Sequence, residues 1–205
     1  MRRFMIRLAV ILAILLIDSQ FVIPPLAERH VADRLTDHGG SANVTIRAFP
    51  ALKLLFGRGG RLGIDAHSLS VDLGPGQQDV FSRLDEFSDV SVTIAKSRAG
   101  PFSIAGFHLE RLRAHVYVLT IRGDATAGDV ARYAGARLGG QFGQDLAGLA
   151  AAALGDFDRP VPFNARMRID TSTGTPHAQN VVGNVAGFPA GPLAEVVANA
   201  LLGGL

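Results

Sequence analysis

The sequence predicts an α+β protein in which a strongly curved antiparallel sheet wraps on one long helix, preceded by an N-terminal membrane helix. Three observations support this prediction. An apolar run follows a group of arginines at the start of the chain, several segments alternate apolar with polar residues, and one long stretch shows helical spacing. Alternation with period two is typical of strands, whereas spacings of three and four are typical of helices.

The first segment contains Arg2, Arg3 and Arg7, followed by an apolar block from residue 8 to residue 17. This order is typical of a secretory signal peptide or of an uncleaved signal anchor, with the arginines on the cytoplasmic side. The block is short for a spanning helix, which needs about 20 residues, yet no small-x-small cleavage site follows Ile17. We therefore assign residues 1–25 to a signal anchor or signal peptide, and residues 26–205 to a single exported domain at the periplasmic face of the cell envelope.

The composition excludes several classes of protein. The 205-residue chain has no cysteine, so thiol catalysis and cysteine metal sites are excluded. Its formal net charge is +2, with 20 basic and 18 acidic residues, which gives no indication of a nucleic-acid partner. Hydrophobic residues make up 48% of the chain, enough for one domain with a sizeable core.

The other predicted helices and strands are short. Residues 26–35 have the spacing of an amphipathic helix that begins after Pro24 and Pro25, residues 44–48 alternate as a strand, and Phe49-Pro50 leads into a helical patch that ends near Gly57. Residues 88–95 alternate as another strand, so we expect sequential strands in an antiparallel meander. Two late strands are predicted at residues 161–169 and 178–187, before a terminal helix at residues 192–202.

Two predicted strands change the side on which their apolar residues lie. Between residues 61 and 73 the apolar positions are even up to Ala66 and odd from Leu69, so the change falls near Ser68. A similar change occurs at Gly106, within residues 102–118. Such a change requires a bulge or a sharp bend, which curls the sheet. The pattern leaves two alternatives open: long curved strands, or hairpins at Gly106 and Glu110.

The long helix is predicted from Thr126 to Leu154. Its apolar stripe consists of Leu138, Phe142, Leu146, Leu149 and Ala153. Interior glycines such as Gly139 and Gly140 destabilise a helix by roughly 0.5 to 1 kcal/mol each relative to alanine. Close packing against another element, direct contact with lipid, or a helix in two parts would explain them.

No catalytic motif is present. The chain has no Gly-x-Ser-x-Gly elbow and no phosphate-binding loop, and its histidines occur singly without the spacing of metal ligands. We therefore predict that the protein is not an enzyme and has no cofactor and no metal. A catalytic alternative would require a buried acid and base pair, for example His108 or His115 near a carboxylate.

Two pairs of arginines are spaced so that each pair lies on one face of a strand. They are Arg111 with Arg113, and Arg166 with Arg168. Such pairs could hold a phosphate group, although a solvated outer face of the sheet is the simpler explanation for them.

Five stretches resemble the LmeA-like family of actinobacterial envelope proteins. They are residues 27–35, residues 44–52, residues 54–58, the pair Asp129-Val130 and residues 159–163. The resemblance implies phospholipid binding in the periplasmic space, a supporting role in lipomannan and glycolipid assembly, and a curved sheet on a long helix as in tubular lipid-binding domains. The family has no catalytic motif, so no active site is implied.

These expectations combine into a functional hypothesis. We expect a membrane-associated phospholipid-binding protein, bound to the inner membrane, with acyl chains against two sets of apolar side chains and with arginines at the head group. The lipid-contacting residues are Phe49, Leu52, Leu55, Phe56, Leu138, Phe142, Leu146 and Leu149, and the head-group residues are Arg111, Arg113, Arg166 and Arg168. The alternative is a structural interaction protein that docks an unknown protein partner through its apolar helix face.

Overall fold

The computed structural model describes residues 20–71, 80–100, 102–126, 160–174, 177–185 and 188–189. Most of these residues belong to one sheet, which is accompanied by short helices. In chain order the elements are helix α1 (20–36), β1 (Ser41–Arg47), a 3-10 helix (Ala51–Phe56), β2 (Gly59–His67), β3 (Ser70–Val71), α2 (Val80–Asp85), β4 (Phe87–Ala99), β5 (Phe102–Arg113), β6 (Val116–Thr126), β7 (Pro160–Asp170), β8 (His177–Val185) and β9 (Phe188–Pro189).

The sheet is open and mixed. Its strand order is β1-β2-β4-β5-β6-β7-β8-β9, and β3 extends β2 by pairing with β4. Every pairing is antiparallel except those of β2 and β3 with β4, which are parallel. Parallel neighbours need a crossover connection, and here the chain returns between β2 and β4 by a path that includes α2.

One face of the sheet is apolar and the other is polar. The inward residues of β4 include Val90, Val92 and Ile94, each at most 1% exposed, and β7 contributes Phe163 and Met167. Helices α1 and α2 pack on this inner face, since their apolar side chains join the same core. The outer face is formed by the alternate residues, which are mainly polar.

Three neighbouring strands change their inward-facing positions at the same level of the sheet. Ser68, between β2 and β3, has a φ of 56°, and Lys96 in β4 has a φ of 50°. In β5 the register with β6 shifts between Ile104 and Gly106. We call this line across the three strands the crease. It confirms the predicted change at Ser68 and the predicted break at Gly106.

The crease also decides between the two alternatives left open for residues 102–118. Strand β5 continues through Gly106 and Glu110 for 12 residues, so neither residue marks a hairpin. The turn into β6 falls instead at Ala114 and His115, where His115 has a φ of 59°. Gly106 marks a bulge inside a long strand.

The predicted fold, a strongly curved antiparallel sheet wrapped on a long helix, is wrong, whereas the predicted N-terminal membrane helix falls mainly on residues 1–19, which lie outside the described residues. Strands dominate the described residues, and the predicted meander is interrupted by the parallel pairing of β2 with β4. Thr126, the predicted start of the long helix, is the last residue of β6, because it continues the ladder with Pro160. The rest of that predicted helix lies outside the described residues.

The helices in the described ranges are short. Helix α1 passes through Pro24 and Pro25, so it begins before the point at which the sequence predicted its start. No helix within these ranges combines the length and the apolar character that crossing a membrane requires.

The carboxylate of Asp85, the last residue of α2, connects this helix to residues on or beside β6 and β7. Asp85 Oδ1 accepts a hydrogen bond from the Tyr117 hydroxyl at 2.8 Å, and Oδ2 accepts one from Thr171 Oγ1 at 2.6 Å. His115 Nδ1 lies 3.1 Å from Oδ2, and Arg111 donates to the Asp85 carbonyl at 3.2 Å. The Asp85 side chain is 14% exposed. We call these five residues the Asp85 cluster.

Burial fixes the protonation state of Tyr117. Burial of the Tyr117 phenol, together with its hydrogen bond to Asp85, raises the pKa of Tyr117 far above its usual range. The phenol therefore stays protonated and donates to the carboxylate. Phe81 of α2 packs edge-on against the Tyr117 ring with centroids 5.6 Å apart, so apolar and polar contacts hold the same helix.

We expect Asp85→Asn to lower the free energy of unfolding by about 3 kcal/mol, since it removes the anion that compensates the buried Arg111 guanidinium. The measurement is chemical unfolding of the full-length protein. The matched control is Asp89→Asn, which breaks an ion pair with Arg61 in which both side chains are largely exposed. That change should cost less than about 1 kcal/mol. Equal losses for the two variants would contradict the anchoring role of the Asp85 cluster.

Candidate functional site

The loop between β1 and β2 presents large apolar side chains to solvent. Phe49, Leu55 and Phe56 are 83%, 67% and 79% exposed, and Leu52 is also exposed. Of the residues in this 3-10 helix, only Ala51 is fully buried. The four apolar residues predicted to contact lipid in this segment therefore lie together on the surface, where contact with water is unfavourable.

Helix α1 adds a second group of exposed apolar residues at the same end of the molecule. Glu28 Oε1 accepts a hydrogen bond from the Ile46 amide at 2.8 Å, so this part of α1 lies beside the last residues of β1. The residues before Glu28 extend toward the loop that follows β1. We call the combined surface the apolar tip; it consists of Phe21, Val22, Leu26, Phe49, Leu52, Leu55 and Phe56.

A cleft opens beside the apolar tip. It has a volume of about 470 Å³ and lies between α1, the 3-10 helix, the ends of β1 and β2, and α2. Most of the lining side chains are apolar. The lining residues are Ala27, Val31, Ile46, Leu54, Phe56, Gly57, Leu62, Ser82, Arg83, Leu84, Glu86 and Phe87. The cleft and the tip share Phe56, so they form one continuous apolar surface.

Local backbone geometry shapes one wall of this cleft. Gly57 ends the 3-10 helix with a φ of 72°, and its amide donates to the Leu54 carbonyl. A left-handed residue at this position is most easily glycine. The resulting sharp turn leaves Phe56 outside while Leu54 packs partly inward against the core.

Charged side chains stand at the polar side of the cleft. Arg58 donates to Glu86 at 2.8 Å in a pair that is well exposed. Arg83 is exposed, lines the cleft and forms no ion pair with any residue in the described ranges. Lys53 is exposed on the adjoining 3-10 helix. The cleft thus has a mainly apolar lining, with Arg83 and Glu86 as its charged lining residues and Arg58 paired to Glu86.

The four arginines predicted to meet a head group lie elsewhere. Arg111 is only 7% exposed and belongs to the Asp85 cluster, with its guanidinium 5.9 Å from the Tyr117 ring centre. Arg113 is exposed at the end of β5. Arg166 and Arg168 are exposed on the outer face of β7, on the opposite side of the sheet from α1 and α2.

The other predicted lipid-contacting residues are not described. Leu138, Phe142, Leu146 and Leu149 lie outside the described residues. The sequence analysis missed Arg83 and the α1 residues Ala27 and Val31. The spacing of Ala27 and Val31 by four places them on one helical face, which was the available signal.

The structure brings two histidines near carboxylates. His115 Nδ1 lies 3.1 Å from Asp85 Oδ2, and His108 lies 3.9 Å from Glu110 and 3.2 Å from Thr93. Neither is the buried pair that the catalytic alternative required, because both histidine side chains are about half exposed. Both Asp85 oxygens already accept hydrogen bonds from Tyr117 and Thr171, so the contacts of this carboxylate are those of a structural joint. Within the described part of the chain, no group of three or more acidic or histidine side chains is arranged to hold a metal ion.

The chain matches no protein-family model, no curated protein and no solved structure. The geometry of the apolar tip and the cleft is therefore the main guide to function.

Proposed function

We propose that this chain is a membrane-associated phospholipid-binding protein of the cell envelope, in which the apolar tip enters a lipid surface and the cleft holds an acyl chain. The observation that carries this proposal is the continuity between the exposed tip and the apolar cleft through Phe56. A volume of about 470 Å³ falls within the range of roughly 300 to 1,000 Å³ that is usual for ligand pockets. A whole two-chain lipid is too large for this cleft, so its head group and second chain would remain outside.

The exposed side chains supply the driving force. Removing a large apolar side chain from water contributes roughly 1.5 to 3 kcal/mol. Phe49, Leu55 and Phe56 are each more than half exposed, so their transfer into a lipid surface would contribute several kcal/mol together. If nothing covered this apolar patch, its side chains would stay in contact with water and the protein would gain no free energy from burying them.

The order of segments along the chain also supports an orientation in which the apolar tip is directed at the membrane. The apolar block at residues 8–17 lies only a few residues before the start of the described part of α1. The early α1 residues Phe21 and Val22 belong to the apolar tip. If residues 8–17 are held in a membrane, the tip is the part of the domain that lies closest to it.

The rim suits a phosphate group. Arg83 lines the cleft and Arg58 pairs with Glu86, which also lines it; guanidinium groups bind phosphate oxygens through paired hydrogen bonds. Lys53 adds a third cation nearby. These residues take the role that the sequence analysis assigned to the arginines of β5 and β7.

The resemblance to the LmeA-like family supports phospholipid as the ligand class. The role in lipomannan and glycolipid assembly, and the periplasmic location, stay predictions.

Filling the cleft should remove the bound lipid. We expect the full-length protein, purified in detergent and examined by native mass spectrometry, to carry a phospholipid adduct. Ala27→Phe places a large ring in the cleft, so the adduct should be lost. The control is Leu55→Ser, which changes the tip and leaves the cleft lining intact, and which should keep the adduct. Unliganded wild-type protein that takes up no added phospholipid would refute the cleft assignment.

Contact between the tip and lipid can be measured directly because the chain has no cysteine. We expect an environment-sensitive fluorophore on Leu55→Cys, in full-length protein reconstituted into vesicles, to be quenched by spin-labelled lipid. The matched control is Val182→Cys, since Val182 is also apolar and is 72% exposed, but lies in β8. Both proteins keep residues 1–19, so any difference reports the position of the tip.

Equal quenching at the two labelled positions would contradict membrane insertion of the tip. Loss of both the adduct and the quenching, with a protein recovered on the same surface, would favour the alternative of a structural interaction protein.

A further inference from the structure

A second cavity lies on the outer side of the crease, away from the cleft. It has a volume of about 490 Å³ and is formed by the link between β2 and β3 together with β4 and β5. Its exposed lining residues are Ser68, Ser70, Lys96, Arg98, Ser103 and Ala105. None of the described residues that line this cavity carries a carboxylate.

The crease is the reason that two cations line it. In β4 the inward positions are even from Val90 to Ile94, so a regular strand would place Lys96 and Arg98 in the core. The left-handed conformation of Lys96 shifts the alternation by one residue, and Ser97 and Ala99 become the inward residues instead. Both cations are thereby turned outward, on one side of the sheet.

Ser97, which points into the core in place of the two cations, has its hydroxyl group satisfied by hydrogen bonds. The Ser97 hydroxyl is almost fully buried; it accepts from the Leu69 amide at 3.0 Å and donates to the Ala95 carbonyl at 3.0 Å. It therefore bridges the gap that the crease leaves between the β2–β3 link and β4. These two hydrogen bonds stabilise the irregular backbone at the crease, and Ser97 itself forms part of the cavity lining.

The conformation of two lining residues is unfavourable in itself. Ser68 and Lys96 both have positive φ values, in the region that residues other than glycine, asparagine and aspartate seldom adopt. Such conformations persist where surrounding structure enforces them, and they concentrate at binding and catalytic sites.

The lining groups are chemically matched to a tetrahedral anion. Lys96 and Arg98 provide two positive charges, and Ser68, Ser70 and Ser103 provide hydroxyl donors. Neither cation forms an ion pair with a residue in the described part of the chain. Among the described residues, Asp124 pairs in register with the lining residue Ser103 across β5 and β6, but it is not part of the lining.

We propose that the crease binds the phosphate group of a small soluble molecule. Strands β2 and β4 run from the end of the sheet near the apolar tip to the crease. Each covers about nine residues over this path, which corresponds to roughly 30 Å at 3.3 Å per residue. If the tip enters a lipid surface, as in the proposed function, the crease lies roughly 30 Å along these strands from that surface. The cavity is larger than a phosphate ion, so it has room for the rest of the molecule.

The anion site itself does not depend on the proposed function; only the choice of a soluble source does. The variants below leave the cleft and the tip unchanged. Loss of lipid binding by the cleft would therefore leave the anion site standing, and failure of the anion site would leave lipid binding by the cleft standing.

The test is calorimetric titration of the full-length protein with inorganic phosphate, glycerol 3-phosphate and glycerol. We expect the two phosphates to bind and glycerol not to bind. The double variant Lys96→Asn and Arg98→Gln should weaken phosphate binding by about tenfold or more, since hydrogen bonds to charged groups are each worth roughly that factor. Asparagine tolerates the left-handed conformation at position 96, so the fold should be kept.

The matched control is the double variant Arg166→Gln and Arg168→Gln. It removes the same charge from the outer face of the same sheet, and its phosphate affinity should change by less than about twofold, because exposed charges beyond a Debye length of ~10 Å are largely screened. A second variant, Ser70→Asp, places a carboxylate at the exposed edge of the cavity and should abolish phosphate binding by repulsion.

Three results would overturn the proposal. They are the absence of phosphate binding by the wild-type protein, equal weakening in the two double variants, and unchanged affinity in Ser70→Asp. Binding of phosphatidylglycerol vesicles through Lys96 and Arg98, without binding of glycerol 3-phosphate, would overturn the soluble source and assign a lipid head group.

Discussion

The arrangement of the described residues depends on the buried carboxylate of Asp85. Helix α2 has six residues, too few to be stable alone, and it ends at Asp85. Through Tyr117, Thr171 and His115 this carboxylate joins α2 to β6, to the residue after β7 and to the β5–β6 turn, and the Asp85 backbone carbonyl accepts a hydrogen bond from Arg111 of β5. Because Ser82, Arg83 and Leu84 of α2 line the cleft, the same contacts that anchor the helix also position one wall of the candidate site.

The two ends of the sheet have opposite chemical character, although the same strands form both. Near the start of β2 and β4 the surface is apolar and the cleft opens beside exposed aromatic rings. At the crease the cavity is polar and basic. The distance between the apolar cleft and the basic cavity is set by the length of β2 and β4. The cavity is basic because the crease turns Lys96 and Arg98 outward.

Several features followed correctly from local pattern. The change of apolar positions at Ser68 and the break at Gly106 were predicted because burial on one face of a sheet imposes strict alternation, so any departure shows in the sequence. The helix of residues 26–35 was predicted for the same kind of reason. By contrast, Arg111 and Arg113 were placed on one face as a pair, and the structure buries one and exposes the other, because their register with β6 shifts between them.

The sequence by itself determined the local elements, the segments that alternate, the apolar character of residues 49–56 and the absence of thiol chemistry. Only the tertiary structure decided that β2 and β4 are parallel, that Asp85 meets His115 and Tyr117, and that Ala27, Val31, Leu54 and Arg83 line one cleft. These contacts join residues far apart in the chain. Local propensity depends on neighbours within a few residues, whereas strand order and side-chain proximity depend on how the whole core is buried, which no single segment specifies.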